Sequence, residues 1–367
     1  GPVFRSGDLA FQLLSVCLLF GHVLGYRCHP RFYPALTLLS ASTPAFLFAL
    51  RALSGSLVAL ALGLSWAILA TGGQAFLTVD WWRRRGSSSR RLAQLYNSEM
   101  LGAAPAFGLA LALGSRQLLN LFPWLVAVTL ASNARPRLAA LCALLASLQL
   151  LTLNGLEAWG REKALSADLR APAQVLEAAY SPYQVVEVVE ARGQHYLFLN
   201  GLCHHDPDAL IRLNDLLSTL PARLLDPELR QHGALVLGAG ALMSAAETQK
   251  QGWPTTVVEL DPKVLELSQR HFAPLNGLRL EDPQLRCVAN DARAFVHQSQ
   301  EQFGLIVFSL PYPYSFNSAS LFTREFFEQL SKRLHPQGCL AMFLGSPVSD
   351  HKLEPTGGSF LRAIRQV

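Results

Sequence analysis

Charge is scarce in this chain. Asp, Glu, Lys and Arg together make up 16% of its 367 residues and hydrophobic residues make up 50%, whereas an ordinary soluble domain is about 25% charged. The deficit is concentrated before residue 160, which excludes a single uniformly soluble unit. Cysteine is sparse as well. The six cysteines, Cys17, Cys28, Cys142, Cys203, Cys287 and Cys339, include no C-x-x-C pair. Neither a zinc site nor a redox pair is therefore indicated, and no metal is expected. Isolated cysteines of this kind behave as small apolar residues. The net charge is +5, yet the arginines stand beside apolar runs. That is the pattern of charge flanking membrane spans, and no nucleic-acid partner is expected. Gly1-Pro2 reads as the remnant of proteolytic tag removal and is set aside.

Apolar runs fill residues 9–26, 33–50, 53–79, 100–114, 118–130 and 138–156. A spanning helix takes about 20 apolar residues; the runs 100–114 and 118–130 fall short of this and the others meet it. Run 53–79 lacks the polar stripe that a soluble helix carries. Pro44 predicts a kink in the second run. Trp81-Trp82 beside Arg83-Arg84-Arg85 reads as an interfacial belt, and the number of runs excludes a signal peptide. His22 is a lone polar residue, better suited to bonding a neighbouring helix than to marking a pathway. A transporter regulated by a soluble domain is one reading of such a chain, but the missing mid-span acid–base pairs count against it. The expectation is a multi-pass protein of the inner (plasma) membrane with about six spans and the lipid bilayer as partner. Arg27, Arg31, Arg83, Arg84, Arg85, Arg90, Arg91, Arg135 and Arg137 fall in one set of loops. Arg5, Arg51, Arg116, Arg161, Lys163 and Arg170 fall in the other. The positive-inside rule puts the first set in the cytoplasm and the soluble part outside. Counting 100–114 and 118–130 as one broken span reverses that.

After residue 160 the pattern changes. Residues 161–180 read as a polar linker helix, and 181–201 as a β-hairpin turning at Arg192-Gly193. Residues 210–220 have a helical period. From 233 to 272 the order is strand, glycine turn, helix, strand, acid, helix. Gly238 and Gly240 let a ligand approach the backbone closely, and Glu259 stands about twenty residues on, where an acid accepts ribose hydroxyls. A third strand ends at Asp291, "FGLIVFSL" is a fourth and "GCLAMFLGS" a fifth. The expected fold is a multi-span α-helical membrane domain (1–160), a linker helix (161–180), a β-hairpin subdomain (181–209) and an α/β domain on an open parallel nucleoside-binding sheet (210–367).

The stretches "SPYQ", "VLGAG", "VVELDPKVLELSQRHF", "DPQLRCVANDARAFV" and "LFTREFFEQLSKRLHPQGCLAMF" resemble the spermidine synthases (polyamine aminopropyltransferases). The segment from Arg90 to Gly114, which reads "LYNSEMLG" from Leu95, resembles the "LY-x-x-N-x-x-G" segment of membrane proteins that carry spermidine-synthase domains. The resemblance implies a methyltransferase-like (Rossmann-like) sheet behind a small β-hairpin domain. The cofactor it implies is decarboxylated S-adenosylmethionine, with S-adenosylmethionine or methylthioadenosine as related occupants. It places Gln184 at the nucleoside's side arm, Glu259 at the ribose and Asp291 at the adenine amine. It also implies further strands after Val367, so the last strand needs covering by the membrane domain, by a second subunit in a homodimer or membrane complex, or by further chain.

The departures lie on the acceptor side. The family's Asp-x-x-Asp-Pro loop, which holds the polyamine and helps deprotonate it, reads Ser309, Tyr312 and Pro313 here, within "VFSLPYPYS". Its Gly-Gly-Gly-Asp-Gly turn becomes Gly238-Ala239-Gly240-Ala241-Leu242, and its Tyr-His-Glu becomes Leu213-Asn214-Asp215. A polyamine is multiply cationic, and buried charge without a partner is costly. Amine attack also needs a base. His204 and His205 are candidates, though a loop histidine pair more often stays solvated. The sequence therefore reads as a spermidine-synthase-like pseudoenzyme that binds a nucleoside. The alternative is a transferase, aminopropyl- or methyl-, acting on a non-polyamine acceptor lined by Tyr312 and Tyr314.

Overall fold

The structure, a computed structural model, describes residues 32–51, 61–70, 123–128, 135–207, 214–310 and 320–343, with isolated positions between and after them. The chain divides into two compact units, Gly1–Ala173 and Gln174–Val367, and each is treated by itself.

In the first unit, the run expected to kink at Pro44 is two short helices, α1 (Tyr33–Ala41) and α2 (Thr43–Arg51). A proline at the break removes a donor and frees carbonyls, and side chains bond the groups left open. Thr43 Oγ1 donates to Ser40 O at 2.6 Å and Ser42 Oγ to Leu39 O at 2.8 Å. Gln149, buried on α3 (Pro136–Leu169), donates to Ala41 O at 3.0 Å and accepts from Ala45 N at 3.2 Å. α3 has 34 residues, about 50 Å at the α-helical rise. Among the described residues it alone is long and apolar enough to cross a membrane; Ala61–Ala70 is a shorter apolar helix. Leu141, Leu144, Leu148 and Leu151 are exposed along it, and the Glu157–Arg161 pair is buried one turn apart. The runs 9–26 and 100–114, and most of 53–79, lie outside the described residues.

The expected linker helix over 161–180 is corrected. Residues 161–169 continue α3 without a break, and Arg170 ends it in a left-handed conformation (φ 51°). Residues 173–180 are strand β1 (Ala173–Tyr180), despite an alanine-rich sequence. Tertiary contacts override propensity here. Glu177 on β1 takes Arg270 in two bonds (2.6 and 2.8 Å) and His271 at 2.8 Å. The expected hairpin is accordingly part of a four-stranded sheet, β1–β2 (Val185–Ala191)–β3 (Gln194–Leu199)–β4 (Leu202–His205). Two tight turns build it. Arg192-Gly193 (φ 53° and 71°) is the predicted one, and Asn200-Gly201 (φ 50° and 73°) is another of the same kind. Positive φ at both central residues matches the twist of the flanking strands.

The larger sheet has five parallel strands in the order β7 (Leu285–Ala289), β6 (Thr255–Glu259), β5 (Ala234–Leu237), β8 (Phe303–Phe308), β9 (Leu334–Met342). β9 begins earlier than the expected fifth strand. α4 (Met243–Lys250), α5 (Pro262–His271), α6 (Ala292–Gln298) and α7 (Arg324–Arg333) are the helices that follow β5, β6, β7 and precede β9. The central strands are buried on both faces, so side chains alternate between two cores. Val236, Val257, Leu305 and Val307 pack with Trp253 on one face, and Leu235, Leu237, Ile306 and Phe308 pack with Phe295, Phe326 and Phe327 on the other. The small sheet is joined to the large one through Val186, Val188 and Leu197 packed on Val264, Leu267 and Phe272. Of the helix expected over 210–220, residues 210–213 lie outside the described residues, and the rest is a π-helical turn, Asp215–Thr219, running into a short helix, Leu220–Leu224.

His204 and His205 are not a solvated loop pair. Both lie on β4, and His205 is 7% exposed with its ring edge-on to Phe272 at 5.3 Å. Burial lowers the His204 pKa and pulls that of His205 from 6.5 to about 4, partly opposed by Asp206. In the folded chain His205 stays neutral where the unfolded chain would bind a proton. Its stabilising contribution is therefore present above pH 6.5 and is lost as pH falls towards 4, by up to about 3 kcal/mol. His205→Leu should flatten the acid side of the stability profile of the second unit between pH 7 and 5, read from urea transitions of both chains. Parallel profiles would contradict the assignment.

Candidate functional site

The sequence order of the strands reverses between β5 and β8, and the carboxyl edge at such a reversal is where open α/β sheets bind ligands. The turn leaving β5 borders it. Gly238 adopts φ 90°, and its N–H donates to Val258 O at 2.9 Å. A Cβ there would lie 2.8 Å from both Ser309 O and Leu310 Cδ2, so glycine is required twice over. At Gly240 (φ 46°) a Cβ would meet nothing within 4 Å, and its carbonyl accepts Ser268 Oγ at 2.5 Å. Leu242, where the family pattern has glycine, keeps the left-handed conformation (φ 60°) and is fully buried. That conformation costs a leucine roughly 1–2 kcal/mol, and full burial of the side chain returns roughly as much.

Glu259 ends β6 and closes the turn from the other side. Its Oε2 accepts the Ala239 N–H at 2.8 Å and its Oε1 the Asp261 N–H at 3.0 Å. Burial raises its pKa; the two backbone donors oppose that shift and the Asp261 charge adds to it. Each oxygen has a second lone pair, so the same carboxylate can hold the turn and accept a ligand hydroxyl. Asp291 follows β7, the strand beside β6, and caps α6 by accepting Ala294 N at 2.9 Å from an exposed position. The Asn290 N–H bonds Glu259 O at 2.9 Å, which ties the two acidic ends together. Gln184 reaches this end of the sheet from the small sheet, its Nε2 donating to Asp261 Oδ2 at 3.1 Å. The structure thus gathers Gln184, Gly238, Gly240, Glu259 and Asp291 around the carboxyl ends of β5, β6 and β7. Asp261, Ser181 and Ser268 belong to the same network and were not singled out from sequence. The signal for Asp261 was present in Asp-Pro, a helix N-cap followed by proline at the first position.

The groups bonded around Ser309 are neutral. Ser309 follows β8, its N–H donating to Leu237 O at 2.9 Å. Its hydroxyl lies 3.5 Å from Ser244 Oγ, which donates to Asn214 Oδ1 at 2.9 Å. Asn214 Nδ2 in turn lies 3.5 Å from Met243 Sδ. Ala241 is buried. Glu247, the acid nearest in sequence on α4, is engaged by Thr219 at 3.1 Å and Lys250 at 2.8 Å. Tyr312, Pro313, Tyr314 and Leu213 lie outside the described residues, as does the side chain of Asp215. Among the described residues no cluster of three or more His, Cys, Asp or Glu side chains could hold a metal ion.

Residues 223–354 match the spermine/spermidine synthase domain. Among curated proteins the chain is similar to polyamine aminopropyltransferase 2 of Aquifex aeolicus, 28% identical over 169 residues, covering 45% of this chain and 34% of the relative. It is also similar to the polyamine aminopropyltransferase of Oceanobacillus iheyensis, 28% identical over 179 residues, covering 47% of this chain and 34% of the relative. The match thus spans about a third of the length of these relatives. Among solved structures, spermidine synthase in complex with the transition-state analogue AdoDATO is 19% identical, with a TM-score of 0.45 over 53% of this chain and 64% of that one.

Proposed function

We propose, from the premise that residues 223–354 are spermidine-synthase-like, that this chain is a membrane-anchored member that binds an S-adenosylmethionine-type nucleoside and does not transfer to polyamines. The nucleoside part of the reading rests on the Glu259 carboxylate, which bonds the glycine turn through Ala239 and stands beside Asp261 and Asp291. Decarboxylated S-adenosylmethionine, S-adenosylmethionine or methylthioadenosine are the compounds that match such a cradle. The acceptor part rests on the neutral Ser309–Ser244–Asn214 chain. Hydroxyls and an amide can satisfy a neutral polar group, but they neither neutralise a dehydrated ammonium nor remove its proton. The chain then works as a binding or structural module. The same neutral chain of groups favours one second reading, a transferase whose acceptor is an uncharged hydrogen-bonding molecule; the names of the relatives point to transfer chemistry as well.

Membrane anchoring is the other half of the proposal. It is supported by the length of α3, by its exposed leucines and by the apolar runs before it. The arginine-rich loops face the cytoplasm and the nucleoside domain faces outward.

Calorimetry with methylthioadenosine on the purified full chain tests the nucleoside reading. Glu259→Ala should weaken binding by about 1.5–3 kcal/mol, roughly ten- to a hundredfold. An unchanged affinity, or no binding by either chain, would overturn it. Alkaline phosphatase fused after Val367 should be active in cells; an inactive phosphatase, with a fluorescent protein bright at the same position, would reverse the topology.

A further inference from the structure

Asp261 is 1% exposed, and no cationic side chain bonds it in the described network. A buried carboxylate is costly unless hydrogen bonds replace its water. Three donors do so here. Lys263 N–H, at the start of α5, bonds Oδ1 at 2.9 Å, and Oδ2 takes Ser181 Oγ at 2.6 Å and Gln184 Nε2 at 3.1 Å. The helix N-terminus adds a favourable dipole. Through its own N–H, Asp261 also holds Glu259 Oε1 at 3.0 Å. One residue therefore bonds both Gln184, at the edge of the small sheet, and Glu259, at the end of β6.

We infer that Asp261 is a positioning residue that sets the orientation of the Gln184 amide relative to Glu259. An ionised carboxylate only accepts hydrogen bonds, so Gln184 must turn its NH₂ towards Asp261. Its carbonyl Oε1 is then the end left to face a ligand, and it selects a side arm that carries a donor. Ser181 fixes the turn around it. With its proton committed to Asp261 in a short charge-assisted bond, Ser181 Oγ accepts the N–H groups of Tyr183 (3.1 Å) and Gln184 (3.0 Å), and Ser181 N–H bonds Gln184 O at 2.9 Å. Asp261 thereby couples the four-stranded sheet to the cradle without touching the ligand.

The ligand side of this inference rests on the nucleoside reading, and the test separates the two. Asp261→Asn keeps the volume and the helix cap, since asparagine caps as well as aspartate. It places an NH₂ against the donors of Ser181 and Gln184. In the purified full chain, the affinity for decarboxylated S-adenosylmethionine should fall at least tenfold. Affinity for methylthioadenosine, which has no amine on its arm, should change less than threefold. Gln184→Ala should give the same selective loss, and adding Asp261→Asn to it should give no more. Equal losses for both ligands, or additive losses in the double variant, would assign Asp261 to the fold alone and overturn the inference. Hydrogen exchange of the unliganded chain is read in parallel. The amides of Tyr183 and Gln184 should exchange at least tenfold faster in Asp261→Asn, and unchanged protection there overturns the positioning role whatever binds. If neither ligand binds the unsubstituted chain, the nucleoside reading falls, and with it the selection of a side arm.

Discussion

The carboxylate of Glu259 is the constraint on which the second unit depends. It sits where β6 ends, holds the Ala239 N–H of the glycine turn with one oxygen and the Asp261 N–H at the head of α5 with the other. The turn keeps its course only because Gly238 can adopt φ 90° against the backbone of Ser309. Hence the end of β5, the end of β6 and the start of the segment after β8 are fixed relative to one another before any ligand arrives. Preorganisation of this kind lowers the ordering cost of binding. It also explains a buried acid with a raised pKa that is nevertheless well bonded: burial opposes its charge, and backbone donors oppose the burial.

Much of this was legible in the sequence because each feature has a local cause. Gly238 and Gly240 after an apolar strand, Glu259 at the end of the next, and Asp291 at the end of the third follow from strand–turn–helix punctuation. Pro44 announced the break between α1 and α2. What escaped was set by contacts between distant segments. Residues 173–180 look helical by composition and become β1, where Glu177 meets Arg270 and His271 more than ninety positions away. Asn200-Gly201 is a turn signal as strong as Arg192-Gly193, and it extends the hairpin into a larger sheet. Residues 161–169 read as a separate linker because their polarity rises, yet backbone hydrogen bonding continues α3 through them. Asp261 was invisible as a hub because its partners Ser181 and Gln184 lie about eighty residues earlier.

The two sides of this end of the sheet differ in chemistry. One carries carboxylate acceptors, Glu259 and Asp291, at the ends of β6 and β7. The Ser309 side offers hydroxyls and an amide that satisfy one another. Leu242 holds a left-handed conformation within the turn itself, carried by the packing of its side chain in the core.

The most direct test of this division is a transfer assay on the purified full chain with decarboxylated S-adenosylmethionine and putrescine, following spermidine by mass spectrometry. The account predicts no spermidine above a protein-free control, because the groups bonded around Ser309, the Ser244 hydroxyl and the Asn214 amide, carry no carboxylate to hold or deprotonate the amine. Spermidine accumulating in proportion to the amount of chain would contradict it.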